Sequence, residues 1–206
     1  MLTIKKAEFV KSAAGKEGFI LSDNGQIVVA GKSNVGKSSF INFLCNNYKL
    51  ARTSNTPGRT RLVNYFLIND DFFLVDLPGY GYAKGARGEI EYWAQMMNDY
   101  FEVSQPKIKR VIFLVDSRHL PTSEDLKFAQ YLNYYRLPFS VIATKADKLS
   151  RTQLNKNLID IANALKIGRS NIFAVSSQNI TGKEEVLTLI ESSLSFVSES
   201  HLEEDE

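Results

Sequence analysis

Cysteine and long apolar runs are both scarce in this chain, and each scarcity excludes a class of protein. The single cysteine, Cys45, cannot form an intramolecular disulfide and cannot make a zinc site by itself. It follows the largely apolar segment 40–44, so we interpret it as a small core residue. No stretch of about 18 apolar residues occurs, and Lys5, Lys6 and Glu8 interrupt the N-terminal segment. The sequence therefore predicts neither a membrane span nor a signal peptide, and we expect a cytoplasmic protein.

The overall charge is also small, at +2 for 206 residues, so it does not by itself indicate a nucleic-acid binder. Hydrophobic residues make up 44% of the chain and charged residues 23%, as in a soluble globular protein with a full core. The length suits a single α/β domain, which we place at residues 1–197. The acidic segment 198–206 is predicted to be a flexible tail.

Short apolar runs alternate with longer amphipathic stretches over most of the chain. The predicted strands are 27–30, 62–68, 72–75, 111–115, 139–143 and 171–175, and the predicted helices are 37–46, 90–103, 123–135, 152–165 and 183–196. The second and third strands flank an Asn-Asp-Asp turn at 69–71 and are predicted to form a hairpin. This order predicts an α/β fold with a mostly parallel six-stranded sheet, one antiparallel strand and helices on both faces.

The strongest motif is a glycine-rich loop between the first of these strands and the first helix. It fits the pattern G-x-x-x-x-G-K-S/T, with the residues Gly31, Lys32, Ser33, Asn34, Val35, Gly36, Lys37 and Ser38. Glycines at Gly31 and Gly36 let the backbone wrap around phosphates, so that amide N–H groups and the helix N-terminus face the anion. Lys37 is predicted to reach the β- and γ-phosphates as a catalytic residue, and the Ser38 hydroxyl is predicted to bind Mg²⁺.

Two later motifs indicate guanine. The string Thr144, Lys145, Ala146 and Asp147 follows a buried strand and resembles the guanine-specificity motif N/T-K-x-D. The Asp147 carboxylate can accept hydrogen bonds from N1–H and the 2-amino group of guanine, a donor pair that adenine lacks. After the last strand, Val175, Ser176 and Ser177 resemble the fifth GTPase motif, whose backbone N–H groups contact guanine O6. The sequence therefore predicts a GTP-binding protein.

A fourth motif follows the hairpin. The residues Asp76, Leu77, Pro78 and Gly79 resemble the GTPase motif D-x-x-G. Asp76 is predicted to hold Mg²⁺ through water, and the Gly79 N–H is predicted to sense the γ-phosphate during catalysis. A Ras-like GTPase has a glutamine next, which orients the attacking water, but here the residue is Tyr80. Either Tyr80 only packs, or hydrolysis is intrinsically slow and is completed by a partner or a cation.

With these motifs in order, the sequence resembles Era-like GTPases, and more closely the EngB family (also called YihA or YsxC) of bacterial ribosome-assembly GTPases. The resemblance covers roughly residues 4–194 and is carried by segments 31–39, 55–60, 76–82, 116–119 and 144–147. It implies a P-loop NTPase fold of the Ras-like G-domain type and slow GTP hydrolysis with Mg²⁺. It also implies a switch role in large (50S) ribosomal subunit assembly, with a link to cell division and septation.

The resemblance also implies roles for particular residues. Thr53, Thr56 and Thr60 are candidates for a second magnesium ligand. We choose Thr60, with Thr56 as the alternative, because the string 57–60 resembles the P-G-x-T form of switch I in Era-like GTPases. The further nucleotide-binding residues that it implies are Ser39, Gly58, Arg59 and Thr60. Asn34 resembles the residue that helps to bind K⁺ in potassium-activated relatives.

The partner surface is predicted from charge. No acidic residue lies between Asp23 and Asp70, whereas the segments around switch I (53–61) and switch II (80–87) carry cations and aromatic rings, which suit RNA. The predicted surface consists of Arg52, Arg59, Arg61, Tyr82, Lys84 and Arg87. We expect a monomer that contacts ribosomal RNA and proteins of the 50S subunit or its precursors, with no DNA or membrane partner.

Other interpretations stay open. The partner surface could be an ordinary solvated loop. The protein could instead be a nucleotide-gated binding module at the division machinery, in which hydrolysis is incidental. A small-molecule P-loop kinase is disfavoured, because the motifs at 76–79 and 144–147 would then have no purpose.

Overall fold

A computed structural model describes residues 1–52, 62–81 and 87–195. Within these ranges the strands are β1 (Ala7–Ala13), β2 (Gln26–Gly31), β3 (Val63–Ile68), β4 (Phe72–Asp76), β5 (Ile108–Asp116), β6 (Phe139–Thr144) and β7 (Ile172–Ala174). The helices are α1 (Lys37–Leu44), α2 (Arg87–Ser104), α3 (Ser123–Tyr134), α4 (Arg151–Leu165) and α5 (Lys183–Ser195).

The strands form one mixed sheet in the order β1-β3-β4-β2-β5-β6-β7. Strand β3 is antiparallel to both of its neighbours, β1 and β4, whereas the pairs from β4 to β7 are all parallel. The predicted α/β fold class, with one antiparallel strand in a mostly parallel sheet, is confirmed. The predicted strand number of six was wrong, because the described residues contain seven strands.

The additional strand is β1, at the edge of the sheet. Its side chains from Glu8 to Ser12 are exposed, and its pairing with β3 shifts register between Phe9 and Lys11. An edge strand with a bulge and no buried face has no continuous apolar run. Its sequence pattern therefore gave no strand signal.

Apolar cores lie on both faces of the sheet. In β2, Val28 and Ala30 pack in one core, whereas Ile27 and Val29 pack in the other. One core contains residues of α2, α3 and α4, and the other contains residues of α1 and α5. Because helices cover both faces, the central strands are apolar almost throughout. No helix in the described ranges is long and apolar enough to cross a bilayer.

The parallel strands bring their following loops to one edge of the sheet. The loops after β2, β4, β5, β6 and β7 all leave the carboxyl ends of neighbouring strands. In open α/β sheets this edge is where ligands bind. The glycine-rich loop and the motifs at 76–79, 144–147 and 175–177 are therefore neighbours.

Candidate nucleotide-binding site

The glycine-rich loop connects β2 to α1 and bends sharply before the helix begins. Gly36 has φ 108°, in the left-handed region that favours glycine. The Lys37 side chain folds back over the loop, where its Nζ donates a hydrogen bond to the Gly31 carbonyl oxygen at 3.3 Å. Burial lowers the pKa of the Lys37 ammonium group, and the charge of Asp76 opposes that shift. A partly buried ammonium group at a helix N-terminus is suited to bind phosphate.

Asp76 ends β4 beside this lysine and has an unsatisfied oxygen. Its Oδ1 atom is buried and makes no hydrogen bond. Burial raises the pKa of Asp76 to about 6, against the opposing effects of the Lys37 charge and an Asn64 hydrogen bond. An orphaned carboxylate oxygen and the Ser38 hydroxyl are hard donors of the kind that Mg²⁺ prefers.

Asp76 and Ser38 contribute oxygen ligands only. No group of three or more His, Cys, Asp or Glu side chains that could hold a metal lies within the described ranges. Mg²⁺ commonly takes few protein oxygens and completes its shell with water and substrate phosphates. The unpaired Asp76 oxygen and the Ser38 hydroxyl therefore fit Mg²⁺ held together with a nucleotide.

Gly79 lies against both the glycine-rich loop and its lysine. A Cβ atom at this position would lie 2.8 Å from Lys37 Nζ and 2.9 Å from the Ser33 backbone nitrogen, so only glycine fits without a shift. A hydrogen bond at the next residue keeps the two segments together, because the Ser33 N–H donates to the Tyr80 carbonyl oxygen at 2.9 Å. The D-x-x-G segment thus lies directly beside the predicted position of the terminal phosphate.

The guanine-specificity motif is bonded to the glycine-rich loop. Lys145 Nζ donates to the Asn34 carbonyl oxygen at 3.2 Å and to Asp116 Oδ2 at 2.9 Å. The Thr144 hydroxyl lies 2.8 Å from the Val35 carbonyl oxygen. These contacts join the phosphate-binding part and the base-binding part of the site into one unit.

Asp116, at the end of β5, orients Lys145. Burial opposes ionisation of this carboxylate, but hydrogen bonds from Arg118 and Lys145 outweigh it and hold the pKa of Asp116 well below its usual range. Arg118 binds both carboxylate oxygens, at 2.9 and 2.7 Å. The charge that holds Lys145 is therefore permanent at neutral pH.

Asp147 is held by Ser176 from the loop after β7. The Ser176 hydroxyl donates to Asp147 Oδ1 at 2.8 Å, and Lys148 Nζ lies 3.1 Å from Oδ2. The Ser176 hydrogen bond is the main cause of a lowered pKa of Asp147. The backbone N–H of Ser176 donates to the Thr181 carbonyl oxygen at 3.2 Å. Of the two serines predicted to contact guanine O6, Ser176 thus has its backbone N–H in a bond within its own loop.

Tyr80 packs inside the protein. It is 7% exposed, and its hydroxyl donates to Asp125 Oδ1 at 2.6 Å. Burial, followed by the nearby Asp125 charge, raises the pKa of Tyr80 well above its usual range. The structure therefore supports the packing interpretation of this position.

Several predicted residues lie outside the described ranges. These are Gly58, Arg59 and Thr60, the alternatives Thr53 and Thr56, the surface residues Arg61, Tyr82 and Lys84, and the tail 198–206. Nothing is described of the Arg87 side chain, and Arg52 is exposed. Conversely, sequence reasoning assigned no role to Asp116 or Asp125 and missed the hydroxyl of Ser176. Only Asp116 carried a signal, because it begins one of the strings behind the family resemblance.

Comparisons with known proteins agree with this geometry. Residues 26–145 match a family model described as a 50S ribosome-binding GTPase. The probable GTP-binding protein EngB of Clostridium kluyveri is 46% identical over 96% of this chain, and that of Clostridium acetobutylicum is 45% identical over 97%. Both relatives are covered over 100% of their length.

Solved structures show the same fold. A crystal structure of a probable GTP-binding protein engB has a TM-score of 0.69 at 22% identity, covering 82% of this chain and 98% of that chain. Aquifex aeolicus Era bound to GDP and AlF₄⁻ has a TM-score of 0.65 at 20% identity, covering 84% of this chain and 57% of that chain. By its matched relatives, its family model and its joined phosphate and guanine motifs, the chain belongs to the EngB family of GTP-binding proteins.

Proposed function

We propose that this chain binds GTP with Mg²⁺, hydrolyses it slowly and acts in the cytoplasm as a switch in assembly of the large (50S) ribosomal subunit. The nucleotide part of the proposal rests on one contact, that of Lys145 Nζ with the Asn34 carbonyl oxygen at 3.2 Å. This contact joins the guanine-specificity motif to the glycine-rich loop 31–38 (the phosphate loop). The description of the matched family as ribosome-binding supports the ribosomal part.

Each residue has a defined task in this proposal. Lys37 binds the β- and γ-phosphate oxygens, and the Gly79 N–H donates to the γ-phosphate. Ser38 and Thr60 would hold Mg²⁺ directly, whereas Asp76 would hold it through water. Mg²⁺ supplies charge neutralisation at the β- and γ-phosphates when it is bound.

The position of Tyr80 is also compatible with the slow hydrolysis that we propose. Its hydroxyl is bonded to Asp125, so the residue after D-x-x-G does not orient the attacking water. We assign stimulation of GTP hydrolysis to a ribosomal partner or to K⁺ bound near Asn34. The Asn34 side chain is exposed and belongs to the phosphate loop.

The potassium part has a direct test. Asn34 has φ 63°, so Asn34→Gly deletes the amide without adding backbone strain. We expect faster hydrolysis in KCl than in NaCl for the native protein and equal rates for the variant. Equal rates in both salts for the native protein would refute potassium activation.

Ribosome binding is tested by sedimentation with 50S particles. We expect tighter binding with a non-hydrolysable GTP analogue than with GDP, and steep weakening with salt. Replacing Arg59 and Arg61 with alanine should weaken binding. The matched control replaces Arg136 and Lys166, two exposed cations that form no ion pair in the described part of the chain and lie at the opposite edge of the sheet. Equal losses in both pairs would show that net charge, not a switch surface, drives binding.

Depletion in cells separates this proposal from the division-machinery hypothesis. We expect precursors of the 50S subunit to accumulate before septation fails. Failed septation with a normal subunit profile would instead favour a nucleotide-gated module at the division machinery.

A further inference from the structure

Tyr80 stands directly after Gly79 and is held inside an aromatic cluster. Its ring centroid lies 5.1 Å from that of Phe128 and 6.1 Å from that of Trp93. Its hydroxyl donates to Asp125 Oδ1 at 2.6 Å, and both side chains are buried. The residue after the D-x-x-G motif is thus bonded to α3.

Asp125 is a buried carboxylate whose bonds are all accounted for. It is 6% exposed, and its Oδ2 atom accepts from the Thr122 backbone N–H and from the Thr122 hydroxyl, both at 2.8 Å. The bond from the Thr122 backbone N–H, together with the bond from the Asp125 backbone N–H to the Thr122 hydroxyl at 3.4 Å, forms the capping box at the N-terminus of α3. The Oδ1 atom depends on Tyr80, and a buried carboxylate oxygen without a partner is costly. The bond between Tyr80 and Asp125 is therefore strongly favoured.

The same backbone segment is held from two further directions. The Trp93 indole Nε1 donates to the Pro78 carbonyl oxygen at 3.1 Å, from α2. The Ser33 N–H donates to the Tyr80 carbonyl oxygen at 2.9 Å, from the phosphate loop. Contacts from α2, α3 and the phosphate loop therefore fix residues 78–80.

Gly79 lies at the centre of this fixed segment, close to Lys37 Nζ. We propose that Asp125 is a positioning residue for GTP: by holding the Tyr80 hydroxyl, it sets the Gly79 N–H in place for the γ-phosphate. The inference rests on the proposed binding of GTP at this site. It assigns Tyr80 to ground-state binding of the γ-phosphate and not to activation of the attacking water.

The test deletes one oxygen atom. Tyr80→Phe should weaken binding of a non-hydrolysable GTP analogue by about 5-fold, equivalent to ~1 kcal/mol, while the Kd for GDP stays within about 2-fold. The KM for GTP should rise, with kcat nearly unchanged. Tyr100→Phe is the matched control, because Tyr100 is 0% exposed and its hydroxyl bonds to Gln26 Oε1 at 2.7 Å, away from the site. It should lower thermal stability without changing the ratio of the two affinities.

Trp93 reports on the same segment. It is the single tryptophan of the chain, so fluorescence excited at the red edge of indole absorption, where tyrosine does not absorb, observes it alone. Acrylamide quenching of Trp93 should increase in Tyr80→Phe and not in Tyr100→Phe. An unchanged quenching constant in Tyr80→Phe would show that the hydroxyl does not hold the segment.

A second variant separates the helix cap from the tyrosine bond. In Asp125→Asn the amide oxygen can still accept from Tyr80, but the amide nitrogen cannot accept from Thr122. We expect lower stability with a nearly native ratio of GTP-analogue to GDP affinity.

Three further outcomes would overturn the inference. An unchanged affinity ratio in Tyr80→Phe makes the bond purely structural. A fall in kcat of about 100-fold at unchanged KM makes Tyr80 catalytic. If the ratio of GTP-analogue to GDP affinity falls as far in Asp125→Asn as in Tyr80→Phe, the loss of GTP affinity comes from the helix cap and not from the tyrosine bond. Failure of the native protein to bind GDP at all would instead refute the proposed function.

Discussion

Ser176→Ala isolates one contact behind the base-specific carboxylate. The variant removes the hydroxyl that donates to Asp147 Oδ1 at 2.8 Å and accepts from the Asn179 N–H at 3.0 Å. It leaves the Asp147 carboxylate itself in place. We expect weaker GDP binding with the preference for guanine over adenine retained.

The magnitude follows from the chemistry of the bond. A hydrogen bond to a charged group contributes about 1.5–3 kcal/mol. Lys148 Nζ lies 3.1 Å from the other carboxylate oxygen and still compensates part of the charge. We therefore expect a net loss of about 1 kcal/mol, which is about 5-fold in Kd.

The pH dependence of the variant has a definite sign. Hydrogen bonding by Ser176 lowers the pKa of Asp147, and guanine binding needs the ionised carboxylate. GDP affinity is therefore complete above the pKa of Asp147 and falls as pH decreases through it. In Ser176→Ala the pKa rises toward its ordinary value, so the fall in affinity should begin at a higher pH than in the native protein.

Ser177→Ala is the control. Ser177 is exposed, and its backbone N–H survives the substitution. Titration of both variants with a fluorescent GDP analogue, from neutral to acidic pH, measures both effects. Equal Kd values for the two variants, or pH profiles that coincide with the native one, would refute the assigned role of Ser176.

Three further predictions concern the site and the core beneath it. Asp147→Asn should lower GDP affinity by roughly 2–4 kcal/mol and favour xanthosine diphosphate, because the base carbonyl at position 2 can accept from the Asn amide. Competition binding with both diphosphates measures this, and an unchanged GDP affinity would contradict it. Gly79→Ala should weaken binding of a GTP analogue by about 10-fold and binding of GDP by less, because the added Cβ would lie 2.8 Å from Lys37 Nζ. Calorimetry measures both affinities, and equal losses for the two nucleotides would contradict that placement. Burial raises the pKa of the Cys45 thiol to about 12, so a disulfide reagent at about pH 8 should label the denatured chain and not the native one; prompt labelling of native protein would contradict its burial.

The predictable part of the fold comes from strands buried on both faces. The residues of β2 and β6 are all buried, and such strands appear in the sequence as short continuous apolar runs. Strand β1 could not be found in this way. Its side chains are mostly exposed, and it is a strand because its backbone pairs with β3, which is distant in the sequence.

The same distinction applies to the site. Lys37, Asp76 and Asp147 were predictable because they occupy fixed places in local motifs. Their supporting contacts join residues far apart in the sequence: Ser176 is 29 residues from Asp147, and Tyr80 is 45 residues from its partner on α3. No local pattern encodes such a contact, since it exists only after the sheet has brought two loops to one edge.

This arrangement makes Lys145 the residue through which the two halves of the site depend on each other. Its ammonium group is shared between Asp116 and the backbone of the phosphate loop, at 2.9 and 3.2 Å. The residue itself has φ 61°, in the left-handed region, and therefore occupies a conformation that most side chains avoid. Strain of this kind persists only where surrounding contacts over-determine it. The contacts in this case come from both halves, because Thr144 lies 2.8 Å from the Val35 carbonyl oxygen of the phosphate loop. Loss of the Lys145 charge should therefore weaken phosphate binding as well as guanine selectivity. If the two halves of the site were independent, only guanine selectivity would fall.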